Sequence, residues 1–122
     1  MTIPANYAPP PDLLAGRVIL VTGAGQGLGR AVALECAAHG AAVALLGRKQ
    51  DKLEATYDAI TAAGASEPAL VPMDLEAAGS AEFESLAQLI RKDLKRLDGI
   101  VHCASHFVPL GPVANQTLEH WV

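Results

Sequence analysis

Apolar residues occur along this chain in two alternating rhythms. Val18-Ile19-Leu20-Val21, Ala42-Val43-Ala44-Leu45-Leu46, Ala69-Leu70-Val71 and Ile100-Val101 are unbroken apolar runs. Runs of this length fit strands buried on both faces of a parallel sheet. Between them, apolar residues recur every three or four positions: Leu53, Tyr57 and Ile60, then Phe83, Leu86, Leu89, Ile90 and Leu94. That spacing puts an apolar stripe on one side of a helix. The pattern predicts strands over 17–22, 42–46, 69–73 and 100–104. It predicts helices over 28–39 and 51–63, with Gly40 and Gly64 placed to cap their C-termini. A third helix is predicted from an N-cap at Ser80 to about Leu94. Asp98-Gly99 reads as a turn into the fourth strand. A loop over 105–114 carries two prolines, and a last helix opens over 116–122 with Thr117 as a candidate N-cap.

Strand and helix alternate with short connections, and crossovers between parallel strands are right-handed. The expected fold class is therefore α/β: a three-layer, doubly wound parallel sheet, Rossmann-like, with strand order 3-2-1-4 and ending after the fourth strand. Residues 1–12 hold Pro4, Pro9, Pro10 and Pro11 and read as an extended arm. Residues 13–122 read as the N-terminal part of one domain.

Composition narrows the function classes. The formal charge is −4 and no block of basic residues occurs, which argues against nucleic acid as a partner. No apolar run approaches the roughly 18 residues a membrane span needs, and the N-terminus lacks a secretory pattern. A cytoplasmic protein without membrane contact is the expectation. Cys36 and Cys103 form no Cys-x-x-Cys pair, so two buried free thiols are expected rather than zinc or a redox disulfide.

The candidate chemistry lies in Thr22-Gly23-Ala24-Gly25-Gln26-Gly27-Leu28-Gly29, between the first strand and the first helix. No Gly-Lys-Ser or Gly-Lys-Thr follows, which excludes a P-loop. A strand that turns through glycines into a helix presents backbone N–H groups to a pyrophosphate. Gly23 permits the tight turn, Gly27 lets backbone approach the phosphates, and Gly29 lets helix and strand pack closely. The Thr22 hydroxyl is placed to fix the turn. Glycines that merely shape a tight turn are the plainer alternative. After the second strand the chain reads Gly47-Arg48-Lys49. An acidic residue there would bind a ribose 2′-hydroxyl, whereas a guanidinium pairs with a 2′-phosphate. NADP is therefore favoured over NAD, solvated loop charges being the alternative. His102 and His106 straddle a strand end and read as separate core or loop histidines rather than a metal or acid–base pair.

Thr22-Gly23-x-x-x-Gly27-x-Gly29 resembles the cofactor motif of the short-chain dehydrogenase/reductase family, and the resemblance runs through essentially the whole chain. Asp12-Leu13-Leu14, Leu20-Val21-Thr22-Gly23, Leu45-Leu46-Gly47-Arg48 and Arg96-Leu97-Asp98-Gly99 are similar to one bacterial subgroup of uncharacterised short-chain oxidoreductases. The resemblance implies cofactor binding by Thr22, Gly23, Gly25, Gln26, Gly27, Leu28 and Gly29. It implies a ribose contact at Arg48, an adenine contact at Asp74, and ring contact from the backbone of Leu75. Ala104 and Ser105 would offer backbone to the cofactor ribose. His102-Cys103-Ala104-Ser105 departs from the family's Asn-Asn-Ala-Gly, keeping only the alanine. Gln26 also departs from the second basic residue that many NADP-preferring relatives carry in the glycine turn.

Hydride transfer to a carbonyl needs a proton donor beside the oxygen. The family uses a tyrosine with a lysine four residues on, together with a serine and an asparagine. Tyr7 is followed four residues on by Pro11 and Tyr57 by Thr61, so no catalytic residue is assigned. The chain reads as the N-terminal half of a longer homo-oligomeric enzyme that moves hydride between NADP(H) and a small carbonyl or alcohol substrate. The alternative is a catalytically dead nucleotide-binding or association-prone fragment.

Overall fold

The computed structural model describes residues 1–106 and 110–121. Four parallel strands, β1 (Val18–Thr22), β2 (Ala42–Gly47), β3 (Ala69–Pro72) and β4 (Gly99–His102), form one sheet in the order β3-β2-β1-β4. Thr22, the last residue of β1, pairs with Leu46 on one side and His102 on the other. The C-terminal ends of β2, β1 and β4 therefore lie level.

Alternate residues of each strand feed two separate cores, as the period of a strand requires. Val21, Val43 and Leu45 pack with Ala33 and Ala37 of α1 (Gly27–Ala38) and with Leu53 and Ile60 of α2 (Gln50–Ala62). Leu20, Ala44, Leu46 and Val71 face the other way, toward Leu86 and Leu89 of α3 (Ser80–Leu89) and Leu94 beyond it. Two helices on one face and one on the other give the three layers expected from the sequence. The central strands β1 and β2 are thus covered on both sides, which is why their residues need not alternate with polar ones.

The boundaries differ from the expectation where side chains capture backbone groups. The N-cap of α3 is Gly79, not Ser80, because the Glu82 carboxylate reaches back to the Gly79 amide at 2.8 Å. That hydrogen bond holds the Glu82 carboxyl below its ordinary range. After Leu89 the helix widens into a π-turn over Ile90–Leu94, closed by the Lys95 amide on the Ile90 carbonyl at 2.8 Å. The predicted stripe is buried at Ile90 and half-buried at Leu86, Leu89 and Leu94, but Phe83 is exposed. Phe83 and Ile100 lie in an open groove between α3 and β4, the outer strand of the sheet among the described residues. β4 ends at His102 rather than Ala104, for a reason found in β1. Cys36 and Cys103 are free but only half-buried, and burial pushes the Cys36 thiol up.

Asp98 does more than make a turn. Its carboxylate accepts the Val18 amide at 2.8 Å and Arg96 Nε at 2.8 Å, with Arg17 at 3.4 Å. Its own amide donates to the Val18 carbonyl at 2.9 Å, so it clasps the start of β4 to the start of β1. The Arg96 guanidinium, then the Val18 amide, hold the Asp98 carboxyl far below the usual carboxylate range.

Residues 1–13 are exposed, and the chain enters the domain where the Leu14 amide meets the His39 carbonyl at 2.8 Å. A 3₁₀ turn at Val113–Asn115 and the short α4 (Leu118–Trp121) follow β4. Pro109, in the predicted loop, and Val122, in the predicted last helix, lie outside the described residues. Among the described residues no helix is long and apolar enough to cross a membrane.

Candidate functional site

The strand ends define one rim of the sheet, and β1 leaves it through the glycine turn. Gly23 has φ +64, and a Cβ there would lie 3.0 Å from the Cys103 carbonyl and from the Ala104 nitrogen. The turn is thus wedged against the exit of β4. A Cβ on Gly29 would lie 2.1 Å from the Gly23 carbonyl oxygen, so α1 starts directly on top of the strand end. Only glycine allows that approach. Gly27 has φ +55 and faces open space.

Ala24 anchors the turn from within. It is fully buried, its amide donates to the Leu46 carbonyl at 3.1 Å, and its carbonyl accepts the Thr56 hydroxyl at 2.9 Å. Its amide is therefore committed to β2. The amides at the start of α1 are not. Gln26 stands at the N-cap in an extended conformation without a side-chain cap, and the first amide to bond back is that of Arg30, to the Gln26 carbonyl at 3.2 Å. The N–H groups of Gly27, Leu28 and Gly29 thus have no partner in the helix, and Leu28 is exposed. Unpaired amides at a helix start, reinforced by the helix dipole, attract an anion.

Thr22 has a different task from the one expected. Its buried hydroxyl accepts the amides of both Cys103 and Ala104 at 3.0 Å, so it ties down the exit of β4 rather than its own turn. This pulls Cys103 and Ala104 out of the ladder, which is why β4 is short. It also commits the Ala104 amide, leaving the exposed Ala104 and Ser105 at the rim.

Arg48 is exposed at the end of β2 and makes no hydrogen bond or ion pair among the described residues. Asp74 is exposed beyond β3, where its Oδ1 accepts the Glu76 amide at 3.0 Å. That bond fixes the carboxylate in an Asx turn. Leu75 is half-buried against the Leu46 and Val71 core. Glycine turn, Arg48, Asp74 and Ala104-Ser105 therefore follow four adjacent strands and line one rim.

Two residues at this rim escaped the sequence reading. Thr56 holds Ala24, and Lys52, one helical turn earlier, crosses the glycine turn. A Cβ on Gly25 would lie 2.9 Å from the Lys52 Cβ, and the Lys52 ammonium donates to the Gln26 side-chain oxygen. Their one sequence signal is an i, i+4 spacing beside Leu53 and Ile60, which mark the buried side of α2.

No acid–base pair joins the rim among the described residues. Tyr57 donates its phenol to Glu67, which raises the phenol pKa, the wrong direction for a proton donor poised near neutrality. Tyr7 lies in the exposed arm. His102 and His106 are both exposed, and the described residues hold no group of three or more metal-ligating side chains.

Comparison with known proteins bears on the family of the chain as a whole. The family model for short chain dehydrogenase matches residues 17–122. The chain is 38% identical over 116 residues to the uncharacterized oxidoreductase YciK of Escherichia coli, which covers 95% of this chain and 46% of YciK. A short chain dehydrogenase structure from Pseudomonas syringae superposes with a TM-score of 0.86 at 41% identity, covering 95% of this chain and 48% of that one. A short chain dehydrogenase structure from Shigella flexneri, complexed with NADP, matches with a TM-score of 0.83 at 38% identity, over 92% of this chain and 47% of that one. The chain spans about half the length of these relatives.

Proposed function

Because this chain belongs to the short-chain dehydrogenase family of oxidoreductases, we propose that it forms the dinucleotide-binding part of a nicotinamide-dependent oxidoreductase that prefers NADP(H). Residues 13–122 are then the N-terminal part of one dinucleotide-binding domain, and residues 1–12 an arm outside its core.

The observation that carries this reading is the uncapped start of α1, seated on Gly23 and beside an unpaired Arg48. The cradle suits a diphosphate: amide donors at Gly27, Leu28 and Gly29, with open space where a Gly27 side chain would stand. Arg48 supplies a guanidinium where an NAD-preferring site would hold a carboxylate. Asp74, held by the Glu76 amide, offers its free oxygen to an adenine amino group, and Leu75 offers backbone to the ring. Ala104 and Ser105 line the ribose nearest β4. The NADP complex of the Shigella flexneri relative supports the cofactor assignment.

The nicotinamide, when bound, supplies the hydride, exchanged with a carbonyl or alcohol in the whole enzyme. The residues of this chain bind and orient; none among those described is placed to move the accompanying proton. This chain by itself therefore binds without turnover. Titration of the chain with NADPH and NADH tests the assignment. NADPH should bind more tightly, and Arg48→Ala should cost about tenfold for NADPH and little for NADH. Equal affinities, or tighter NADH, would overturn the NADP preference. Reduction of a carbonyl by the purified chain would overturn the absence of turnover.

A further inference from the structure

We infer that Lys52 is a second cationic determinant of 2′-phosphate recognition, taking from α2 the place that a basic residue in the glycine turn would otherwise fill. The inference rests on the NADP(H) reading above and assigns a residue within that site.

Three observations converge on Lys52. Its stem lies against the turn, since a Cβ on Gly25 would meet the Lys52 Cβ at 2.9 Å. Its ammonium is held at the start of α1 by the side-chain oxygen of Gln26. That partner is neutral, and no carboxylate pairs with Lys52 among the described residues, so its charge is uncompensated at the rim. Lys52 lies in the first turn of α2, four residues after Arg48, which follows β2 at the same rim. The ammonium therefore stands at the Gln26 end of the diphosphate cradle, on the same β2–α2 connection that carries the guanidinium expected to meet the ribose. A phosphate on the 2′-oxygen would enter between two cations, whereas a 2′-hydroxyl would gain little from either. Gln26, which as a residue type argues against NADP, acts here as the tether that presents Lys52.

An ammonium is a point charge with three rotatable donors, suited to a phosphate without fixing its plane. The Thr56 hydroxyl also meets the Lys52 carbonyl, at 3.3 Å, so the backbone that carries this ammonium is braced by the contact that braces Ala24.

The test compares adenosine 2′,5′-bisphosphate with adenosine 5′-monophosphate, which differ only in the 2′-phosphate, by calorimetric titration of the chain. In the unaltered chain the bisphosphate should bind more tightly; absence of that preference would sink the NADP(H) reading and this inference with it. Lys52→Met keeps the stem against Gly25 and removes the charge. It should reduce the bisphosphate affinity about tenfold, leave the monophosphate within about twofold, and be rescued by Lys52→Arg. If the preference exists but is unchanged in Lys52→Met, the inference fails while the reading stands. Equal weakening of both nucleotides would place Lys52 on the shared phosphate and also overturn it. Should Lys52→Met fail to fold, Gln26→Glu serves instead: pairing the ammonium should erase most of the preference, and an intact preference would refute the role.

Discussion

Gly29→Ala is the sharpest perturbation of the turn, because the new methyl carbon would meet backbone rather than a side chain that can rotate away. It would lie 2.1 Å from the Gly23 carbonyl oxygen, 2.6 Å from the carbonyl carbon and 3.0 Å from the Thr22 carbonyl oxygen. Relief requires α1 to lift off β1 by roughly 1 Å, since carbon–oxygen contacts settle well above 3 Å. That shift would open the Ala33 and Ala37 packing and move the uncapped amides. Overpacking of this kind costs about 1–3 kcal/mol, a large share of the roughly 5–15 kcal/mol that holds a domain together. The melting midpoint should fall by roughly 4–12 °C. Gly64→Ala is the control: its φ of +81 strains an alanine by backbone conformation alone, since nothing lies within 4 Å of the added carbon. Thermal melts by circular dichroism, with NADPH titration of both variants, separate the two effects. Gly64→Ala should lose stability and keep affinity, while Gly29→Ala should lose both. A Gly29→Ala chain that melts with the parent and binds NADPH equally would refute the close seating of α1.

Other consequences follow from named contacts. Thr56→Val keeps the shape but leaves the buried Ala24 carbonyl without its donor, and should cost about 1–3 kcal/mol in chemical denaturation together with weaker NADPH binding. Thr22→Val should leave the Cys103 and Ala104 amides unpaired and speed their hydrogen exchange relative to that of β2. The Asp98 carboxyl is held below its ordinary value near 4 by Arg96 and Val18, so its contribution is fully present above that pH and is lost as pH falls toward acid. Asp98→Asn should therefore lower the melting midpoint at neutral pH and flatten its acid-side decline; an unchanged acid profile would contradict the clasp.

The sheet was legible because its information is local and repetitive. Four apolar runs separated by two kinds of helical stripe admit one economical topology, and the glycine spacing locates the turn that follows the first strand. What escaped was carried by single long-range hydrogen bonds. Lys52 meets Gln26 across 26 residues, Thr56 meets Ala24 across 32, and Asp98 meets Val18 across 80. No periodicity encodes such pairs. The Thr22 hydroxyl was expected to act locally and instead captures two amides from β4, which shortened that strand. The α3 cap moved by one residue because a carboxylate at Glu82 outcompetes the Ser80 hydroxyl signal. Phe83 belongs to the helical stripe by spacing, yet it lines the open groove between α3 and the outer strand β4 and stays exposed.

The most direct measurement follows the backbone amides of an isotopically labelled chain by NMR while ADP, the shared diphosphate portion of both cofactors, is added. The amides of Gly27, Leu28 and Gly29 should shift most and saturate together, with the buried amide of Ala24 held to its partner throughout. Saturable ADP binding whose largest shifts fall elsewhere, or no response at the start of α1, would contradict the anion cradle itself.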